Sequence, residues 1–292
     1  MHCIDRRGNE VPVLNLPSGV LGFLYRYAAG RFLLRGLVRP GMSDMVGRFL
    51  NTKASCVLNR AYIRRYSINM SEYESGPFSS FNEMFHRRIL EGKRPIDAAP
   101  GTLVSPCDGK LQVFSVDDDA SFEIKGIPYT MERLLRNHEL AERYRGGTLL
   151  LFRLGVDDYH RYAYPVDGEE GERVHLDGVL HTVTHVAVER KPVYSENIRE
   201  YALIDTPEFG QVLMMEVGAL MVGRIRNNHP IGRVCRGEEK GWFEFGASSI
   251  LLCFEKDRLR PDPDLLKNTA SGYETLVKMG ECIGRIPVTA EC

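Results

Sequence analysis

The chain has 292 residues, a hydrophobic content of 43% and a net charge of −1, which is typical of a globular protein with a buried core. No stretch of apolar residues is long enough and free enough of charge to cross a bilayer, so the sequence predicts no transmembrane helix. The seven cysteines show neither Cys-x-x-Cys pairs nor zinc-type spacing with histidine, which predicts reduced thiols in a cytoplasmic protein and no metal site.

Positive charge is concentrated at the start of the chain. Residues 1–66 carry eleven Lys and Arg against three Asp and Glu, a net charge of +8, and the remaining residues sum to −9. Such asymmetry favours contact between a basic arm and an anionic surface. No recognised nucleic-acid motif accompanies the arm, so a membrane is the surface we expect and nucleic acid is not expected as a partner.

Within this arm, the segment 18–50 combines aromatic and aliphatic residues with arginines four positions apart. Arg31, Arg35 and Arg39 share one face of a helix that we expect to end at Pro40-Gly41. A basic amphipathic helix is compatible with membrane-interface binding and with packing on its own domain. The charge of the whole arm favours membrane contact.

Short apolar runs separated by turns dominate from about residue 100 onward. The turn Asp108-Gly109 separates two predicted strands, and the buried run 149–154 leads into Asp158-Tyr159-His160-Arg161. A histidine with an ordinary pKa near 6.5 can exchange a proton at neutral pH. Helices followed by many short strands predict an α+β fold: a basic helical arm (1–77), then a mostly antiparallel β domain (78–292).

Residues 238–254 hold two apolar runs around four small residues. Each run predicts a short buried strand. Between the runs, Gly246, Ala247, Ser248 and Ser249 predict a tight turn, in which a serine hydroxyl can approach the preceding carbonyl carbon. On these residues alone, an ordinary strand–turn–strand with serines in the turn is the simpler interpretation.

Five motifs, in this order and spacing over roughly residues 78–284, resemble those of the phosphatidylserine decarboxylase family. They are Phe81-Asn82-x-x-Phe85-x-Arg87, Ser105-Pro106-Cys107-Asp108-Gly109, Asp158-Tyr159-His160-Arg161, Val217-Gly218-Ala219-x-x-Val222-Gly223 and Phe245-Gly246-Ala247-Ser248-Ser249.

The resemblance implies a proenzyme that cuts its own chain between Ala247 and Ser248. Ser248 would become a covalent pyruvoyl cofactor, Asp108 would assist the cleavage, and His160 would act in decarboxylation. The substrate would be phosphatidylserine, and the products phosphatidylethanolamine and CO2. The two fragments would stay together as a heterodimer, alone or within a higher oligomer. The enzyme would bind peripherally to the cytoplasmic face of the membrane.

Two residues depart from the family pattern. Ala247 stands where glycine is usual, and Ala163 stands where many members carry a second histidine that acts as the cleavage base. His181 or His185, on a predicted strand, are substitutes of suitable chemistry. Two alternatives therefore stay open: an uncleaved, non-catalytic lipid-binding relative, and a decarboxylase of the same fold that acts on a soluble amino acid.

Overall fold

A computed structural model of the chain describes residues 2–12, 18–220, 224–246 and 248–287. It confirms the α+β class. The α-helices are α1 (Ser18–Arg26), α2 (Ala28–Leu37), α3 (Pro40–Leu50), α4 (Asn59–Arg65), α5 (Phe81–Phe85), α6 (Met131–Leu135), α7 (His138–Arg143), α8 (His185–Val188), α9 (Val193–Glu196) and α10 (Pro263–Ala270). Two 3-10 helices span Lys53–Leu58 and Met70–Glu72.

The strands are short and numerous, as the turn-rich sequence predicts. They are β1 (Cys3–Ile4), β2 (Glu10–Val11), β3 (Thr102–Val104), β4 (Gly109–Ser115), β5 (Ser121–Ile124), β6 (Ile127–Thr130), β7 (Thr148–Leu154), β8 (Arg161–Ala163), β9 (Gly168–Glu170), β10 (Val174–Leu176), β11 (Arg199–Thr206), β12 (Gly210–Val217), β13 (Ile225–Asn227), β14 (Gly232–Val234), β15 (Glu239–Phe243), β16 (Ser248–Phe254), β17 (Arg260–Pro261), β18 (Glu274–Val277) and β19 (Cys282–Arg285).

One large sheet organises the fold, in the order β14-β9-β11-β12-β16-β7-β4-β18-β1-β2, with β10 also paired to β11. All of its pairs are antiparallel except β1 with β18. Smaller sheets are formed by β13-β15-β8, β17-β19-β3 and β5-β6.

The central strands β7 and β16 are buried on both faces. Alternate residues of each strand enter two separate apolar clusters, because successive side chains point to opposite faces of a sheet. Helices α1, α2, α6, α7, α8 and α9 contribute to the first cluster. Strands β3, β8, β15 and β19 and helix α10 contribute to the second. Position 248 therefore lies at the start of a strand in the middle of the molecule.

The arm packs against this sheet. Leu34 and Val38 are buried in the cluster that also holds the core of β7 and β16, and β1 extends the large sheet through its pairing with β18. Gly30 permits the close crossing of α1 and α2, since an added Cβ there would lie 2.1 Å from the Phe23 carbonyl oxygen. The division of the chain into domains at residue 77 stays a prediction.

The arm helix differs from its prediction. Instead of one helix ending at Pro40-Gly41, the chain forms α1 and α2 with Tyr27 extended between them, and Pro40 begins α3. Proline at the first position of a helix loses no hydrogen bond that the helix would otherwise make, so it starts a helix as readily as it ends one. In the described part of the chain, no helix has the length and apolar character needed to cross a membrane.

Candidate active site

Ser248 is the first residue of β16 and is fully buried. Its strand is held on one side by β7, where Leu154 lies opposite Ser248, and on the other by β12, where Val217 lies opposite Ser249. Gly246 precedes the strand at φ +134°, in a region that side-chain-bearing residues avoid. The sequence-predicted residue Ala247 lies outside the described residues.

His160 lies directly opposite the Ser248 hydroxyl. Its Nδ1 is 3.5 Å from Ser248 Oγ, and its Nε2 is 2.9 Å from the Gly155 carbonyl oxygen. Because a carbonyl oxygen can only accept a hydrogen bond, Nε2 carries the proton and Nδ1 is left with a free lone pair. The structure thus brings together two of the predicted site residues and turns the basic nitrogen of His160 toward the serine.

The imidazole of His160 is enclosed and without charge at neutral pH. It is fully buried and stacks on the Phe85 ring, with centroids 4.2 Å apart. Burial lowers the pKa of His160 to about 3, the hydrogen bond to the Gly155 carbonyl opposes this shift, and the charge of Arg87 adds to it. The ring is therefore a neutral proton acceptor that needs no deprotonation before it can act.

The loop between β7 and β8 is held by a buried ion pair. Asp158 accepts hydrogen bonds from the Gly155 backbone N–H and from Lys110 Nζ, both at 2.6 Å. Burial raises the pKa of Asp158, although the Lys110 ammonium opposes that effect. These bonds fix the turn at Gly155, whose carbonyl orients His160. Asp158 therefore positions the histidine, and the described residues show no hydrogen bond between it and Ser248.

Asp108 is buried, but its contacts are with other residues. Arg94 approaches it at 2.6 Å through Nη2, Lys278 at 3.3 Å, and the backbone N–H of Met279 at 2.9 Å. Burial alone would raise the pKa of Asp108, but the Arg94 hydrogen bonds and the Lys278 charge outweigh it and lower the pKa. Over the described ranges, neither Ser248 nor His160 makes a hydrogen bond to this carboxylate.

Comparison with known proteins identifies the family of this chain. The sequence model of the family described as phosphatidylserine decarboxylase matches residues 81–285, which include Asp108, His160 and Ser248. The chain belongs to the phosphatidylserine decarboxylase family.

Relatives of the chain carry the same name. It is 44% identical over 268 residues to phosphatidylserine decarboxylase proenzyme 2 of Clostridium acetobutylicum, covering 91% of this chain and 92% of that protein. It is 36% identical over 288 residues to the phosphatidylserine decarboxylase proenzyme of Fusobacterium nucleatum, covering 96% of each. The Clostridium novyi proenzyme is 38% identical over 270 residues, with 90% of this chain and 92% of that protein covered.

The last residue of β8 is Ala163, so the chain lacks the second histidine that many members of the family carry at this position. The Ala163 backbone N–H donates to the Pro106 carbonyl at 2.8 Å, so β8 is tied to the turn that carries Asp108. No proton-accepting side chain stands at position 163. His160 is the residue that faces Ser248.

The suggested substitute His181 has other partners. Its Nδ1 is 3.1 Å from the Tyr25 hydroxyl, and its Nε2 is 3.5 Å from a Glu196 carboxylate oxygen. The segment around it is not the predicted strand but a loop that meets the arm. Burial lowers the pKa of His181 to about 4, and the Lys191 charge adds to this shift. The side chain of His185 lies outside the described part of the chain.

Three supporting contacts were not assigned from the sequence. Phe85 stacks on His160, the Gly155 carbonyl orients the same ring, and Asn82 Oδ1 accepts the Phe245 backbone N–H at 3.1 Å. Phe85 and Asn82 belong to the motif 81–87. The motif singled out this segment in the sequence but did not predict which residues it contacts. A spacing in sequence could not reveal that this helix packs over the residue 160 loop.

The tautomer of His160 can be measured directly. In a Ser248→Ala variant labelled with 15N-histidine, we expect proton-detected NMR to show a protonated Nε2 and an unprotonated Nδ1 from pH 5 to pH 8, since burial keeps the ring neutral. His160→Gln in the same background identifies the signal by its loss. A ring that titrates with a midpoint near 6.5, or carries its proton on Nδ1, would contradict the geometry.

Proposed function

We propose that this chain is a self-cleaving proenzyme whose mature form decarboxylates phosphatidylserine to phosphatidylethanolamine and CO2. The observation that carries the proposal is the 3.5 Å approach of His160 Nδ1 to the Ser248 hydroxyl, at the position where the family motif has its pyruvoyl-forming serine. Membership of the family supports phosphatidylserine as the substrate.

Self-cleavage uses groups of the chain alone. Ser248 Oγ attacks the Ala247 carbonyl carbon while His160 Nδ1 takes the hydroxyl proton. His160 returns this proton to the Ser248 nitrogen as the C–N bond breaks, so the peptide bond becomes an ester and the nitrogen a free amine. β-Elimination breaks the ester, releases residues 1–247 as a carboxylate and leaves a dehydroalanine at position 248. Water then hydrolyses its imine tautomer and ammonia departs, which leaves a pyruvoyl group.

The surroundings of residue 248 fit such a group. A pyruvoyl is smaller than the peptide it replaces and needs no charged partner, and the start of β16 is enclosed by strands and by the neutral ring of His160. When present, the pyruvoyl carbonyl supplies the electron sink that decarboxylation of an α-amino acid requires. His160 is placed to hold or move a proton at Nδ1 beside that carbonyl, so one histidine serves both reactions.

Asp108 holds in place the segments that surround the site. Its bonds to Arg94 and to the Met279 backbone tie together three segments around the turn whose Pro106 carbonyl holds β8. We assign it a positioning role in self-cleavage, acting through that turn.

The two fragments would remain one molecule after cleavage. Strand β16 is paired along its length with β7 and β12 of the larger fragment, and β18 is paired with β4 and β1. Breaking one bond before Ser248 removes none of these strand pairs. The mature enzyme is therefore a heterodimer of residues 1–247 and 248–292.

A matched pair of serine variants tests the reaction. Purified wild-type protein should release CO2 from phosphatidylserine in mixed micelles, and Ser248→Ala should release none, because no hydroxyl remains at the position that forms the cofactor. Ser249→Ala should keep most of the activity, since its hydroxyl follows a different carbonyl.

The outcomes separate the alternatives. Loss of activity in Ser249→Ala but not in Ser248→Ala would place the reacting serine elsewhere. Wild-type protein that releases CO2 from free serine but not from the lipid would favour the enzyme of a soluble amino acid. Intact, inactive wild-type protein that binds lipid vesicles would favour the non-catalytic relative, which Ala163 and Ala247 support.

For localisation, we propose peripheral binding of the arm to the cytoplasmic face of an anionic membrane. Helix α2 buries Leu34 against the sheet and turns Phe32 and Leu33 outward, 78% and 55% exposed. Further exposed apolar side chains lie on α1 and α3, between α1 and α2, and between α3 and α4: Phe23, Tyr27, Met42, Met45, Phe49, Val57 and Leu58. Apolar side chains beside arginines suit a lipid interface.

A basic cleft lies beside this apolar surface. It has a volume of about 640 Å³ and is lined, among others, by Arg31, Arg35, Arg39, Arg136 and Lys191. Glu196 is the acidic side chain among its lining residues. Phosphate groups of anionic lipids are suitable partners for such a lining.

Replacement of exposed arm residues tests membrane binding without disturbing the core. Phe32→Ser with Leu33→Ser should reduce flotation with phosphatidylcholine–phosphatidylglycerol vesicles, because apolar area leaves the interface. The matched control is Ile231→Ser with Leu266→Ser, which removes two side chains that are also exposed, 56% and 45%, but lie outside the arm. Equal loss in both variants, or in neither, would count against the arm.

The salt dependence of vesicle binding tests the electrostatic contribution of the arm. Raising the salt from about 0.1 M to about 1 M shortens the Debye length from about 10 Å to about 3 Å and should weaken binding of the wild type. Arg35→Gln with Arg39→Gln should bind less at low salt and respond less to added salt. Binding that is unchanged by added salt and by the two substitutions would rule out charge attraction by these arginines.

A further inference from the structure

Arg87 is a buried cation, two of whose nitrogens have no hydrogen-bond partner among the described residues. The residue follows α5 and is 2% exposed, and its Nη1 donates to the Phe85 carbonyl at 3.2 Å. Its Nε and Nη2 are buried and have no hydrogen-bond partner among the described residues. A buried charge is costly to leave unpaired, so such donors normally meet an acceptor.

Other buried arginines of the chain have their partners within the chain. Arg153 forms a two-point pair with Glu274, at 2.5 and 3.1 Å. Arg199 donates to three backbone carbonyls, at 2.8, 2.8 and 3.0 Å. Arg87 instead lies over the Tyr73 ring, 4.0 Å from its centroid. That ring covers one face of the guanidinium, but N–H groups point outward in the guanidinium plane and stay available.

Arg87 lies near His160, to which it is linked through Phe85. Phe85, whose carbonyl holds Nη1, is also the ring that stacks on His160. The charge of Arg87 acts on His160 strongly enough to contribute to the lowering of that residue's pKa. An anion bound by Nε and Nη2 would therefore lie close to the imidazole that faces Ser248.

We propose that Arg87 binds the phosphodiester group of the phospholipid substrate. Nε and Nη2 form the edge of the guanidinium that pairs with two oxygens of one anion, and phosphate oxygens match that spacing. The proposal rests on the proposed function, because it names the part of phosphatidylserine that this site holds. The exposed neighbour Arg88 lacks the burial that would give such a contact its strength.

The phosphate is a better partner than the substrate carboxylate. The carboxylate loses its charge as CO2 departs, so a strong pair with Arg87 would stabilise the substrate more than the transition state and slow the reaction. The phosphodiester keeps its charge throughout. A residue that binds it should lower KM and leave kcat nearly unchanged.

Product inhibition distinguishes the two anions, because phosphatidylethanolamine keeps the phosphate and lacks the carboxylate. Short-chain phosphatidylserine is assayed with wild type, Arg87→Gln, Arg87→Lys and the matched control Arg88→Gln, each normalised to its pyruvoyl content. We expect Arg87→Gln to raise KM about tenfold or more and to weaken inhibition by short-chain phosphatidylethanolamine by a similar factor, with kcat little changed. Arg87→Lys should lie between, since it keeps the charge without the two-point geometry.

A raised KM with unchanged inhibition by phosphatidylethanolamine would assign Arg87 to the carboxylate and overturn the proposal, as would unchanged values for both. Should Arg87→Gln fail to fold, the Arg87→Lys values decide by the same criteria. Failure of the proposed function is recognised separately, by wild-type protein that does not act on phosphatidylserine. In that case weaker binding of short-chain phosphatidylethanolamine to Arg87→Gln than to Arg88→Gln, measured by calorimetry, still supports the phosphate contact, and equal binding rejects it.

Discussion

The hydrogen bond between His160 Nε2 and the Gly155 carbonyl is the constraint on which the rest of the site depends. It places the proton of the ring on the side away from Ser248 and leaves the basic nitrogen facing the hydroxyl. The turn that presents this carbonyl is held by Asp158, which in turn is held by Lys110. Two buried charges are thus used to orient one neutral ring.

The position of Ser248 in the sheet explains how the proposed cleavage could leave the protein folded. The proposed cleavage position lies just before β16, a strand whose backbone groups are shared with β7 and β12 over most of its length. Apolar clusters on both faces of this strand hold it in place independently of the peptide bond before it. The proposed cleavage would therefore change the chemistry at residue 248 without removing the packing that surrounds it.

We propose that the geometry of His160 compensates for the absence of a histidine at position 163. In the family pattern two histidines divide self-cleavage and decarboxylation, whereas here the first of them already faces the serine. Its low pKa makes it a weak base, but also keeps it unprotonated and ready throughout the neutral range. We regard the dual use of His160 as the physical basis on which this chain can remain active.

Some features of the fold and of the site could be predicted from the sequence, and others could not. Strands β15 and β16 follow from their apolar runs, and the motifs selected Ser248 and His160. The expected turn is shorter than predicted, because Ser248 and Ser249 are the first residues of β16. The ion pair of Asp108 with Arg94 depends on tertiary packing, which brings residues from separate segments together. The same is true of the contact between Phe85 and His160. It is also true of His181, which was expected on a strand but lies in a loop, where its ring contacts the Tyr25 hydroxyl of the arm.

The most direct test of the central claim is the intact mass of the purified wild-type protein. The account predicts two species under denaturing conditions, one corresponding to residues 1–247 and one to residues 248–292 with a pyruvoyl group in place of Ser248. Treatment with borohydride should add two hydrogens to the smaller species. A single species with the mass of the uncut chain, in a preparation that decarboxylates phosphatidylserine, would contradict the account.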